Sequence, residues 1–264
     1  MQITSLGFRT DIAILTASGS TVTDCGTHLL VTTPDNPSYH WGNFMLLREL
    51  PAPGGAREVM GAFDTWFATA RHRAIGIDSP VDVDVSEFEV DGMDKDVSHV
   101  MTAERLLAPE RPFAGGGIRP LTPDEWDKWV DLDLSVYAAE DRRYHRAYVE
   151  GRARQEQRLV AAGLGHRWGV FVDGRLAASA GLYDTGDGVF RFQSIATHPR
   201  RRGLGIATTL VHRMAERAVE EQGARQLVIV ADPEGPAYGI YRRLGFETAE
   251  VAVELHQSLP GEIA

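Results

Sequence analysis

Cysteine is nearly absent: Cys25 is the sole one in 264 residues. One thiol closes no intrachain disulfide and builds no cysteine-cluster metal site. The nine histidines lack any His-x-x-x-His spacing, so no metal centre is expected and they read as surface or hydrogen-bonded core residues. No uninterrupted apolar stretch approaches the roughly 18 residues of a membrane helix. The opening residues, Met1 to Arg9, lack a basic stretch followed by a sustained apolar one, so no secretory signal is expected and the cytoplasm is the expected compartment. Positive charge is also scarce, with 27 Lys and Arg against 37 Asp and Glu and a formal net charge of −10. That balance speaks against a chain whose main task is gripping nucleic-acid phosphates, and it mildly favours cationic substrates. A hydrophobic share of 43% with 24% charged residues excludes wholesale disorder. The length fits one large domain or two small ones.

The Pro- and Gly-rich stretch over 108–117 is the best candidate junction. Charge changes across it: residues 1–117 hold 8 basic and 16 acidic residues, a net of −8, and 118–264 a net of −2. The expected organisation is an α/β domain over 1–110, a linker over 111–117 and a second domain over 118–264. In the first domain, strands are expected over 28–33, 41–47, 74–77 and 97–107. An amphipathic helix is expected over 58–70, from the spacing of Val59, Met60, Phe63, Trp66, Phe67 and Ala70. Asp78, Asp82, Asp84, Asp91, Asp94 and Asp96 crowd its loops, but the order of a calcium-binding loop is missing, so they read as a solvated acidic surface. Trp41 and Phe44 read as core rather than as a ligand pocket.

The second domain is more legible. A short strand at 118–121 leads into Thr122-Pro123-Asp124-Glu125, a helix cap followed by Pro and early acids. Helices are expected to about Tyr137 and over about 141–162. Three strands joined by turns follow, over 168–172, 176–183 and 189–197, with Asp173-Gly174 and 184–188 as hairpin signals. Next come a helix over 205–222, a buried strand at 227–230, a short helix at 237–244 and a closing strand at 247–255. Arg142, Arg143, Arg146, Arg152, Arg154 and Arg158 share the second of these helices with Glu150 and Glu156. They read as a solvated face, with binding of an acidic acceptor as the minority reading.

The segment with chemistry is Ser194 to Gly205. It leaves a strand, turns through His198-Pro199-Arg200-Arg201-Arg202-Gly203-Leu204-Gly205 and opens a helix. Free N–H groups and partial positive charge at a helix start hold phosphate. Glycine lets the backbone approach a ligand closely, and three arginines add charge. A Walker A loop is excluded because Ile206 follows Gly205 where Lys is required. A dinucleotide-binding fingerprint fits poorly, since three hairpin-linked strands come first and the third small residue is missing.

That order resembles the GNAT superfamily of acetyl-CoA-dependent N-acetyltransferases. Its Arg/Gln-x-x-Gly-x-Gly/Ala motif is matched by Arg200-Arg201-Arg202-Gly203-Leu204-Gly205, and its Tyr-x-x-Leu-Gly-Phe run by Tyr241-Arg242-Arg243-Leu244-Gly245-Phe246. The resemblance covers about residues 116–257. It implies an α/β (α+β) fold with a C-terminal GNAT domain, a mixed central sheet flanked by helices. In the first half, Pro37-Ser38-Tyr39-His40-Trp41-Gly42-Asn43-Phe44 followed by the helix at 58–70 looks similar to the smaller, degenerate GNAT-like domain that opens some tandem GNAT proteins, and the phosphate loop is missing there. The resemblance further implies acetyl-CoA as co-substrate, held at pyrophosphate by Arg200 to Gly205 and the N–H groups of Ile206 and Ala207. The pantetheine arm would run along Ile195, Ala196 and Thr197, with Tyr241 as the acid that protonates the leaving thiolate. Where family members often carry Asn seven residues before the tyrosine, Glu234 stands here. The base stays open among Asp187, Asp232, Glu140 and a water chain. The implied activity is transfer of an acetyl group to a primary amine of a small molecule or peptide, by direct attack in a ternary complex. The alternative is a weakly active acyl-CoA sensor or protein-interaction module. No nucleic-acid or membrane partner is expected. A homodimer stays open, since two domains in one chain can already mimic one.

Overall fold

The computed structural model describes residues 2–259 apart from Glu140, and of Tyr144 the backbone alone. The chain divides into two compact units: the first runs to Val100 and resumes at Ala249, and the second is Met101–Thr248. The segment 111–117 therefore lies inside the second unit rather than between domains. The closing strand gives most of its length to the first.

In the first unit, α1 (Leu6–Ala17) precedes β1 (Thr21–Asp24), β2 (His28–Thr32), β3 (Phe44–Leu47), α2 (Ala56–Trp66), β4 (His72–Ile77), α3 (Ser86–Val90) and β5 (Asp94–Ala103). β1, β2 and β3 pair antiparallel, and α2 carries the chain back so that β4 joins β3 in parallel. Every residue of β3 is buried, as expected of a strand covered on both faces. The strand expected over 41–47 starts only at Phe44 because His40–Gly42 form a 3-10 turn. The Asn43 side chain fixes that turn, accepting from Thr33 N at 2.9 Å and donating to Asn36 O and Tyr39 O. Trp41 packs on Phe44 at 5.5 Å between ring centroids, in a core with Phe8, Leu15 and Val31. The helix expected to reach Ala70 stops at Trp66. Several of the crowded aspartates serve the chain's own donors, Asp82 pairing with Lys95 and Asp91 with Arg57.

The second unit contains β6 (Gly117–Pro120), α4 (Trp126–Leu134), α5 (Arg142–Ala161), β7 (Gly165–Val172), β8 (Arg175–Asp184), β9 (Val189–Thr197), α6 (Ile206–Glu221), β10 (Gln226–Ala231) and α7 (Tyr238–Arg243). β11 (Glu247–Ser258) closes the chain. β6 to β9 form an antiparallel run, and α6 returns the chain so that β10 pairs with β9 in parallel. Thr122 and Glu125 cap each other reciprocally, with Pro123 at the first position, as the sequence suggests. The helical segment then ends at Leu134, short of Tyr137. On α6, Ile206, Leu210, Val211, Met214, Ala215 and Ala218 are buried against a core holding Val170, Ala180, Phe192 and Leu227. Gly223, at φ 75°, ends α6 by letting Ala224 N reach Ala218 O at 3.0 Å. Among the described residues no helix is long and apolar enough to cross a membrane.

In the first unit, the Asp78 carboxylate anchors the start of α1, accepting from Thr4 N at 3.0 Å and Ser5 N at 2.8 Å. Replacing Asp78 with Ala leaves these two donors without their partner. It is expected to cost about 1–3 kcal/mol of stability, read from urea unfolding of the full chain.

Candidate functional site

β9 and β10 are in register only from Val189↔Gln226 to Arg191↔Val228. β9 then continues to Thr197 and β10 to Ala231, while the other edge of β9 stays paired with β8 as far as Thr197↔Ala178. The edge of β9 that carries Ile195, Ala196 and Thr197 thus lies beyond the end of the parallel ladder. Within this stretch β9 bulges. Ser179 faces Ala196 and Gly181 faces Gln193, so Ser194 and Ile195 together oppose Ala180. Ser194 takes φ 45°, a conformation that turns a strand and re-aims its groups.

A buried ion pair holds the bulge. Arg167 donates from Nε and Nη2 to the two oxygens of Glu156 at 2.7 and 2.6 Å, and the Tyr183 hydroxyl donates to Glu156 at 2.6 Å. The same guanidinium reaches Ser179 Oγ at 3.2 Å, Ser194 O at 3.3 Å and Gln193 O at 3.4 Å, and lies over the Trp129 ring at 4.3 Å. Gly181 makes room for it, since a Cβ there would stand 3.0 Å from Glu156 Oε2 and 3.2 Å from Arg167 Nη2. Burial alone would raise the Glu156 carboxyl, yet the adjoining Arg167 charge and its hydrogen bonds hold it below the ordinary value. Burial, with the Glu156 charge, pushes the Tyr183 phenol well up. On the outer side Arg152 donates to Ser194 Oγ at 3.1 Å. Arg152 is therefore part of this network, with a side chain only 11% exposed, and not of the solvated face expected of its helix.

Sequence reasoning missed this network and also Asp133 of α4. The Asp133 carboxyl is raised by burial, against the pull of Arg167 and Arg152, with Glu156 adding to the rise. Tyr137, stacked on His145 at 3.9 Å, lies in the same charge field and is pushed up by burial to about 12.

After β9, the chain makes a 3-10 turn over Pro199–Arg201. His198 Nδ1 accepts from Arg200 N at 3.2 Å. Gly203 and Gly205 have φ 77° and 75°, the left-handed region that glycine tolerates. A Cβ on Gly203 would meet nothing within 4 Å, so the space beside it is open. The first bond of α6 runs from Thr209 N to Gly205 O at 3.0 Å, which leaves the N–H groups of Ile206, Ala207 and Thr208 ahead of the helical ladder. Thr209 Oγ1 also accepts from Phe113 N at 2.8 Å, fastening the 111–117 segment to α6. Arg200, Arg202 and Leu204 are exposed, and Arg201 is half-buried.

Tyr241 lies on α7, 7% exposed, edge-on to Phe246 at 6.2 Å. Burial pushes its phenol up to about 12. Among the carboxylates weighed as base, Asp232 accepts from Glu234 N in its own turn. Asp187 sits in the hairpin before β9, seven residues from Ser194, roughly 20 Å at a strand's rise. Glu140 lies outside the described residues.

Residues 125–246 match the family model of the acetyltransferase (GNAT) family. No protein of curated function matches the sequence. Several solved structures share the fold. A functionally unknown conserved protein from Staphylococcus epidermidis aligns with a TM-score of 0.70 at 10% identity, over 91% of this chain and 95% of its own. A GCN5-related N-acetyltransferase from Kribbella flavida aligns at 0.66 and 20% identity, over 98% and 97%. A tandem GNAT protein from the clavulanic acid biosynthesis pathway aligns at 0.58 and 15%, over 95% and 89%.

Because Glu156 titrates below its ordinary 4.5, its contribution to stability is full above that value. It is lost as the pH falls through the depressed one. Glu156→Gln, which strands the Arg167 charge, is expected to cost about 3–5 kcal/mol at neutral pH, with a smaller difference from wild type in strong acid, both read by urea unfolding.

Proposed function

We propose, from the premise that residues 125–246 are a GNAT-family acetyltransferase domain, that this protein moves the acetyl group of acetyl-CoA to a primary amine in a ternary complex. The observation that carries this reading is the open turn from His198 to Gly205 in front of the free N–H groups of α6. The residues present fit a pyrophosphate: the backbone approaches without Cβ obstruction, three first-turn amides await an acceptor, and Arg200 to Arg202 supply charge. The free edge of β9 over Ile195 to Thr197 offers peptide groups to an extended amide-bearing arm. When bound, acetyl-CoA supplies an activated thioester.

The rest is chemistry of the chain. A backbone N–H of the Ile195 to Thr197 stretch would donate to a developing oxyanion. Tyr241, with its phenol near 12, stays protonated at neutral pH and is available as a donor to a leaving thiolate. Its hydroxyl makes no hydrogen bond among the described residues, so none has to be broken. Asp133 joins Asp187, Asp232, Glu140 and a water chain as a candidate base, since it shares the charge field of Arg152, which itself bonds Ser194 at the bulge. The amine acceptor is a small molecule or an exposed peptide amine.

Calorimetric titration with acetyl-CoA tests the reading. Wild type is expected to bind one equivalent per chain. Gly203→Asp is expected to abolish binding, while Gly203→Asn, with the same backbone demand and no charge, retains part of it. Absence of binding by wild type would overturn the proposal.

The two proton-handling groups separate by pH. With acetyl-CoA and n-propylamine, kcat/KM is expected to rise with pH as the Asp133 carboxyl ionises above the ordinary aspartate range. Asp133→Asn removes that limb, and Asp133→Asn and Tyr241→Phe each lower the plateau about 10²-fold or more. Acetyl-CoA affinity stays as in wild type in both variants. A limb unchanged in Asp133→Asn would remove Asp133 from the mechanism.

A further inference from the structure

Beside the 198–205 turn, within the second unit, lies a cavity of about 550 Å³ that shares His198, Arg200 and Arg201 with the turn and adds Arg142 and Arg175, which the transfer chemistry leaves unused. Its walls bring together residues far apart in sequence: Arg142 from the start of α5, Arg175 from the start of β8, and His198, Arg200 and Arg201 from the turn. Val172, Leu176 and Ala177 give it an apolar side. Four arginines lining one cavity are unexpected in a chain with a net charge of −10. Like charges gathered in a concave site repel one another unless an anion joins them.

The partners of these arginines inside the protein are weak. Arg201 approaches Asp173 at 3.7 Å, where Asp173 is 85% exposed. Arg142 donates from Nε to the carbonyl of Tyr137 at 3.3 Å, and its Nη groups form no ion pair among the described residues. Arg175 and Arg200 form no side-chain ion pair among the described residues. His198 accepts at Nδ1 from Arg200 N, so its neutral ring carries the proton on Nε2 and presents one more donor. Guanidinium forks match the paired oxygens of phosphate and carboxylate, and the apolar wall suits an organic body behind them.

We infer that this cavity is a second anion site, separate from the amides of α6, that takes a phosphate or carboxylate group carried on an organic molecule. Two sources share that chemistry: the terminal 3′-phosphate of the coenzyme, and an acidic group on the acceptor. The site itself stands without the proposed transfer reaction, and only the identity of its ligand rests on that reading. Arg142 and Arg175 distinguish it from the pyrophosphate turn, since neither belongs to the turn or to α6.

The test is the double variant Arg142→Gln/Arg175→Gln, with thermal unfolding to verify that the chain is intact. Inorganic phosphate is titrated first, followed by calorimetry or amide chemical shifts. The variant is expected to bind it at least tenfold more weakly than wild type. Equal affinity in the two proteins, or no binding by wild type, would overturn the inference, whatever acetyl-CoA does. Acetyl-CoA and its 3′-dephospho form are titrated next. A loss of tenfold or more on acetyl-CoA that is absent with the dephospho form assigns the site to the coenzyme. Unchanged affinity for both assigns it to an acidic group on the acceptor. Failure of wild type to bind acetyl-CoA while phosphate binding still depends on Arg142 and Arg175 would sink the transferase reading and leave the anion site standing.

Discussion

The geometry of the second unit depends on a charge that has been taken out of water. Arg167 is fully buried, and a buried guanidinium persists only if each of its donors finds a partner. Glu156 takes two of them, Ser179 another, and the carbonyls of Gln193 and Ser194 the rest. Those two carbonyls belong to the bulge, so satisfying the arginine and bending β9 are one event. Exchanging such a pair for apolar residues is often neutral or even favourable for stability. Its value here is geometric: without it, nothing requires β9 to carry an extra residue opposite Ala180 or to hold Ser194 at positive φ.

The parts of the fold that were legible in sequence are those whose signals are local. The cap at Thr122, the hairpin signals at Asp173-Gly174 and 184–188, the apolar face of α6 and its stop at Gly223 each lie within a few residues of what they specify. The turn at 198–205 was legible for the same reason. Glu156 and Arg152 were not, because charged residues on a helix default to solvent. A signal was present: Val149, Arg152, Glu156 and Leu159 fall at helical spacing on one face, and Val149 and Leu159 are fully buried. α1 escaped because Leu6, Phe8, Ile12, Ile14 and Leu15 spread around its circumference and leave no clean polar face. The division between units was hidden by a non-local fact. The last strand pairs with β4, Val253 facing Ile77 and Ser258 facing His72, some 180 residues earlier in the chain.

Whole-chain charge was a poor guide to the site. The net of −10 is concentrated before residue 118, where the carboxylates serve backbone amides and neighbouring cations. The second unit is nearly balanced, and its arginines divide by environment. Arg167 and Arg152 are consumed by the bulge, whereas Arg142, Arg175, Arg200 and Arg201 are left around open space. Charge sums describe the long-range field. Recognition follows from which charges the fold leaves weakly paired, and here those are positive.

The two units repeat one connectivity and finish it differently. In each, three antiparallel strands lead through a loop and a helix to a parallel fourth: β1-β2-β3-α2-β4 and β7-β8-β9-α6-β10. The corresponding loops also share a glycine pair at the helix start, Gly54-Gly55 and the Gly203 and Gly205 positions, with Gly54 at φ 86°. In the second unit the loop is basic and its amides face open space. In the first it reads Arg48-Glu49-Leu50-Pro51-Ala52-Pro53, and Gly54 N donates to both oxygens of Glu87 at 2.9 Å. A carboxylate of the chain itself thus occupies the amide that a phosphate would need, and the prolines remove two further donors. The first unit thus keeps the connectivity but not an open, basic turn: the Gly54 amide is satisfied within the chain, whereas the space beside Gly203 stays open.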